Sequence, residues 1–281
     1  SPKERRDLLL GIRSPQINKS KQLHTSPPNP ALQEIVCKAS QAEDYFLLIG
    51  PPGTGKTSMA LRAMVEEFIA ENQSLSTQKN LLLLAYTNWA VDEICETLER
   101  ITPSPPYLRI GNELSCAPQY QHRLFDNAAQ TCHTLRATQT LIQQTTIWVS
   151  TVSSMNGKTD LLAYKHFDTA ILDEASQVLE PQILKILCSS NEKECYIRKF
   201  ILIGDHKQLP AVVLQPTDTS AIIPSELHIT GLTNCRNSLF ERLLANAITN
   251  KWTHAYGMLH KQGRMHEEIC AFVNDFFYAK N

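Results

Sequence analysis

Eight consecutive residues, Gly50-Pro51-Pro52-Gly53-Thr54-Gly55-Lys56-Thr57, hold the densest chemistry in the chain. Glycines let a loop turn its amides inward without Cβ clashes, and a lysine and a hydroxyl follow at once. The pattern, G-x-x-x-x-G-K-[ST], suits a polyphosphate. The amides cradle it, Lys56 reaches the β- and γ-phosphates, and Thr57 is placed to ligate Mg2+. Such a loop needs a strand leading in and a helix leading out. Tyr45–Ile49 is an apolar run, and Met59, Ala60, Ala63, Met64 and Phe68 recur at helical spacing behind Lys56. The helix start adds its own partial positive charge.

A second site for chemistry lies at Thr169-Ala170-Ile171-Leu172-Asp173-Glu174, an apolar strand ending in two acids. A buried parallel strand delivers such residues to its C-terminal edge, where open α/β sheets bind ligands. Asp173 then holds Mg2+, directly or through water, and Glu174 takes a proton from an attacking water. On its own the pair reads equally as a solvated turn or a helix cap, with Ser176 a candidate capping residue. Beside a phosphate loop it reads as catalytic. No N-K-x-D guanine signature is present, so the expected nucleotide is ATP.

The elements that must position these groups alternate along the chain. Strands are expected at Tyr45–Ile49, Leu81–Tyr86, Thr146–Val152, Thr169–Leu172 and Phe200–Ile203. Helices are expected at Pro30–Ala39, Lys56–Ala70, Trp89–Arg100, Pro181–Cys188, Ser238–Thr249 and Met265–Tyr278. This βαβ rhythm predicts an α/β fold with a doubly wound, mainly parallel sheet. Residues 1–28 read as a helix and linker and 29–281 as the main domain. Residues 101–145, rich in Pro, Gln, Thr and Ala, read as a mostly helical insertion, and 213–237 as a long surface loop. The chain has 281 residues, 42% of them hydrophobic, which suits a packed core. Its 27 basic and 28 acidic residues leave a formal net charge of -1. Any surface for an anionic polymer must therefore be a local patch. Eight cysteines are scattered without a C-x-x-C pair, which argues against a zinc site and for reduced thiols in an intracellular protein. Neither a signal peptide nor an apolar run of membrane-spanning length is seen. A chain that opens without Met and stops just past a motif is expected to be a piece of a longer protein.

Three further segments stand in order with the first two: Thr87-Asn88-Trp89-Ala90-Val91-Asp92 after a strand, Gly204-Asp205-His206-Lys207-Gln208-Leu209-Pro210-Ala211, and Gln262-Gly263-Arg264-Met265-His266. Together the five resemble the superfamily 1 helicases, in the branch that holds the nonsense-mediated-decay helicase and the replication nuclease-helicase. The resemblance runs from Gln33 to Tyr278, with Gly263 standing where the pattern has an aromatic. It implies a RecA-like ATPase domain, the first of two, driving movement on single-stranded DNA or RNA in the 5′ to 3′ direction. It further implies that Gln33 reads the adenine edge and that Gln208 senses the γ-phosphate and couples it to nucleic acid. Arg264 would act as an arginine finger. Thr87, Asn88 and Thr151 would contact the nucleic-acid backbone, as small hydroxyls and amides at strand ends do without reading sequence. The second RecA-like domain would be this chain's partner, and the chain by itself would bind nucleotide and turn it over slowly.

Plainer readings stand beside these. Gln33 fits an exposed helix position, Thr87 and Asn88 a helix N-cap, Gln208 a turn before Pro210, and Arg264 a surface charge. Trp89, at a helix start, is expected in the core or as a staple, with base stacking as the alternative. Two other classes share the phosphate loop: an ATPase acting on protein partners, and a nucleotide-gated binding module without turnover.

Overall fold

The computed structural model describes residues 1–223 and 225–278; residue 224 and the last three residues of the expected 29–281 domain lie outside the described residues. Seven strands form one sheet: β1 (Tyr45–Ile49), β2 (Leu81–Ala85), β3 (Tyr107–Ile110), β4 (Ile147–Thr151), β5 (Phe167–Leu172), β6 (Ile197–Gly204) and β7 (Tyr256–Met258). Their order is β3-β4-β2-β5-β6-β1-β7, and all neighbours run parallel.

A parallel sheet covered on both faces needs apolar residues at every strand position, because alternate side chains point to opposite sides. β1 and β2 meet that demand, being buried throughout. Phe46, Leu48, Leu81, Leu83, Ala85, Ile171, Ile201 and Ile203 enter one core. Helices α2 (Pro30–Gln41), α3 (Arg62–Ser74) and α4 (Asn88–Glu99) cover it. Tyr45, Leu47, Leu82, Leu84, Ala170, Leu172, Phe200 and Leu202 enter the other. That face is covered by α1 (Pro2–Leu9), α6 (Leu135–Gln144), α7 (Val152–Gly157), α8 (Glu180–Leu187) and α11 (Leu239–Thr249). The remaining helices are α5 (Phe125–Gln130), α9 (Thr217–Ser220), α10 (Ser225–His228) and α12 (Glu267–Val273). Among the described residues no helix is long and apolar enough to cross a membrane.

The insertion at 101–145 carries α5, α6 and two short 3-10 turns, but it also supplies β3, an edge strand that pairs with β4. Arg109 interrupts the apolar run of β3, which hid the strand from the sequence. The arginine is buried and ion-paired to Asp92 of α4, so its charge is met inside the fold. β7 was equally unexpected. It has three residues, and only its register against Leu47–Ile49 makes it a strand.

Candidate active site

The loop Gly50–Thr57 leaves β1 at the C-terminal edge of the sheet, next to the end of β6, where the Gly50 amide donates to the Gly204 carbonyl at 2.9 Å. Gly53 and Gly55 have φ of +74° and +80°, a left-handed backbone that side chains resist. The helix begins with a π-helical turn, Lys56–Leu61, in which the amides of both Met59 and Ala60 donate to the Gly55 carbonyl at 3.0 Å. The expected single helix from Lys56 is thus a wide first turn leading into α3. The Thr54 hydroxyl donates to Pro51 O at 2.7 Å and closes the loop.

Asp173 and Glu174 follow β5, two strands from β1, yet their side chains converge on this loop. The Thr57 hydroxyl donates to Asp173 Oδ2 at 2.5 Å. Lys56 Nζ donates to Gly50 O at 2.9 Å and lies 3.5 Å from Glu174 Oε1. Asp173 is 1% exposed, and burial pushes its carboxyl up to about 6, against the pull of the Thr57 hydrogen bond. Glu174 has φ 52°, rare outside glycine, and its Oε2 is buried without a hydrogen-bond partner. A hydroxyl and a carboxylate oxygen at one point, with a spare buried oxygen beside them, form the hard donor set that Mg2+ takes. Ser176 caps no helix. Its hydroxyl accepts the Asp205 amide at 3.2 Å, joining the β5 and β6 ends.

The Arg264 segment lies over the loop. The Gly263 amide donates to Gly53 O at 3.0 Å, and a Cβ on Gly53 would come within 2.8 Å of the Arg264 Cβ. Gln262, given no role by the sequence, folds this turn: its Oε1 accepts the Arg264 and Met265 amides at 2.9 and 2.8 Å. Arg264 itself is exposed. Gln208 donates through Nε2 to Asp205 Oδ2 at 3.0 Å. Gln33 is exposed on the first turn of α2, a helix that packs on β1 and on the π-helical turn.

Thr87, Asn88 and Thr151 sit at the same edge, behind β2 and β4. Thr87 caps α4, its hydroxyl accepting the Ala90 amide at 3.1 Å, and it is exposed. Thr151 caps α7 and is 5% exposed, with its hydroxyl already engaged by Ser154. Trp89 is 76% exposed, which corrects the expectation of a core or staple residue. Ala90 and Val91 of the same turn enter the core, which leaves Trp89 on the outer face of α4.

A parallel sheet with a Gly-Lys-Thr loop behind one strand and an acid pair turned onto that loop from another defines a P-loop ATP-hydrolase domain of RecA-like fold. The AAA domain family matches residues 27–134 and 119–216, and the chain belongs to it. It is 29% identical to the DNA replication ATP-dependent helicase/nuclease DNA2 of Bos taurus, over 97% of the chain and 24% of that protein. It is 33% identical to the protein of the same name in Saccharomyces cerevisiae, over 64% of the chain and 11% of that protein. The chain therefore spans a quarter or less of these two relatives. The UvsW helicase of bacteriophage T4 is a solved structure similar to it, at 13% identity and a TM-score of 0.44, covering 83% of this chain and 66% of that one.

Proposed function

We propose that this chain is the first motor half of an ATP-dependent helicase or translocase, binding Mg-ATP at Gly50–Thr57 and hydrolysing it to move 5′ to 3′ on a single strand. The observation that carries the reading is the 2.5 Å contact between Thr57 and Asp173, with Lys56 facing Glu174 beside it. Two loops from different strands thereby aim at one bound metal–triphosphate.

Gly50, Pro51, Pro52, Gly53, Thr54 and Gly55 form the cradle, and Gln33 reads the adenine edge. Thr57 and Asp173 would hold Mg2+, whose charge would offset that of the β- and γ-phosphate oxygens. Lys56 leaves Gly50 O to meet those oxygens. Glu174 orients the attacking water and accepts its proton; its unpartnered Oε2 is the oxygen free to do so. Arg264 adds positive charge over the transferring group, and Gln208 senses the γ-phosphate. The strand would cross the ends of β2 and β4, meeting Thr87, Asn88 and the start of the helix capped by Thr151. There Trp89 offers an open face for a base. A second RecA-like domain would close over both sites, and an intracellular setting goes with the proposal. The relatives' naming for DNA replication favours DNA over RNA.

The test is ATP turnover by the full-length protein with single-stranded DNA, single-stranded RNA or neither, at fixed salt, since phosphate contacts weaken steeply as salt rises. Stimulation at least about tenfold by DNA is expected, a margin of about 1.4 kcal/mol in barrier. Turnover indifferent to either strand would instead favour an ATPase that works on proteins.

A further inference from the structure

Asp205 follows β6 directly and is wholly buried. The donors that reach its carboxylate among the described residues are all uncharged. Oδ1 accepts the Lys207 amide at 3.0 Å. Oδ2 is shared: Gln208 Nε2 donates to it at 3.0 Å and the Tyr278 hydroxyl at 2.5 Å. The shorter separation is that of a charge-assisted O–H···O bond. Burial, reinforced by the bond to Asp205, pushes the Tyr278 phenol up, so it stays a donor. A buried carboxylate without a cation depends on such donors, and stranding one of its oxygens is costly.

Tyr278 closes the helical segment that begins just after Arg264. That segment is fastened at both ends, by the Gly263 amide on Gly53 O and by the Tyr278 hydroxyl on Asp205. Gln208 in this arrangement spends its amide on Asp205 rather than offering it to a ligand. Turning toward a phosphate requires leaving Oδ2. With Tyr278 in place that oxygen keeps a strong donor. Without it, the departure of Gln208 leaves Oδ2 unsatisfied.

We propose that Tyr278 is a positioning residue for ATP hydrolysis: its hydroxyl holds Asp205 Oδ2 so that the Gln208 amide can be released to the γ-phosphate, linking the C-terminal helical segment to the nucleotide. The proposal rests on the reading of Gln208 given above. Tyr278→Phe removes the hydroxyl and keeps the ring. In the full-length protein with saturating single-stranded DNA, it is expected to lower kcat about five- to tenfold, the low end of what a stranded buried acceptor implies. KM for ATP should stay within about twofold, because ground-state binding does not use Gln208. In a Gln208→Ala background the hydroxyl has nothing to release, and adding Tyr278→Phe should lower kcat by less than about twofold. A tyrosine that only braces the fold would instead lower the unfolding midpoint and cause the same fold-loss in both backgrounds. Equal losses, or an unchanged kcat in the single variant, overturn the proposal while leaving Gln208 as sensor. Full turnover by Gln208→Ala removes the sensor reading, and the positioning role falls with it.

Discussion

The two edges of the sheet handle buried charge in opposite ways. At the N-terminal edge three basic side chains are spent on backbone carbonyls of the fold. Lys199 donates to the carbonyls of Ala39, Ser40 and Ala42 at the end of α2. Lys165 donates to those of Ile142 and Gln143 at the end of α6. Arg5 of α1 donates to Ile197 O and Arg198 O and lies over the Phe200 ring. These are cations placed where helix ends and strand starts leave carbonyls bare. At the C-terminal edge the charges around the phosphate loop are held differently. Asp173 is held away from its ordinary range, Glu174 sits on a strained backbone with a lone oxygen, and Lys56 rests on its own loop. The basic groups of one edge tie elements together, and the groups around the phosphate loop at the other are turned toward one another.

Substitutions at the two edges should separate activity from stability. The largest effects belong to the C-terminal edge. Lys56→Ala and Glu174→Gln should each lower ATP turnover by about 10²- to 10³-fold, the scale of losing one electrostatic or acid–base group. Glu174→Gln should still retain ATP, measurable as stable nucleotide binding without phosphate release. A Glu174→Gln protein that turns over normally would end the assignment. At the N-terminal edge, Arg5→Ala should leave turnover per folded molecule unchanged. It should cost about 1–3 kcal/mol of stability by stranding two carbonyls, seen as a lower denaturant midpoint. A loss of turnover there, with stability intact, would erase the contrast.

A further effect concerns pH. Burial depresses the Lys199 ammonium from 10.5 to about 7. The unfolded chain therefore holds this proton over a range where the folded chain has released it. Between about pH 7 and 10.5 the unfolded state binds more protons, so this group makes stability rise with pH through that window. Lys199→Met should lack that rise when denaturant midpoints are compared across pH.

The nucleotide edge was largely legible in the sequence because its signals are local. Gly50–Thr57 lie between a strand and a helix that the apolar pattern already marks, and Asp173-Glu174 end a run that only a buried strand explains. What stayed hidden depends on distant partners. β3 is a strand because Asp92 neutralises Arg109 and β4 offers an edge. β7 exists through its register with β1. The exposure of Trp89 follows from the face of α4 that Ala90, Val91 and Ile94 bury, which is set by where the helix docks on β2 and β4. Tyr278 and Asp205 meet across 73 positions of chain.

The crowding at the end of β6 sets the span of the site. Neighbouring strands stand about 4.8 Å apart, so the carriers of Thr57 and Asp173 are separated by about twice that, with β6 between them. A Cβ at Gly204 would come within 3.0 Å of the Ser176 amide nitrogen and 3.3 Å of the Phe240 ring. One carbon atom at that spot would require the turn behind β5 and the Phe240 ring to give by a few tenths of an ångström. A glycine is thus what lets the ends of β5 and β6 lie this close beside the pocket.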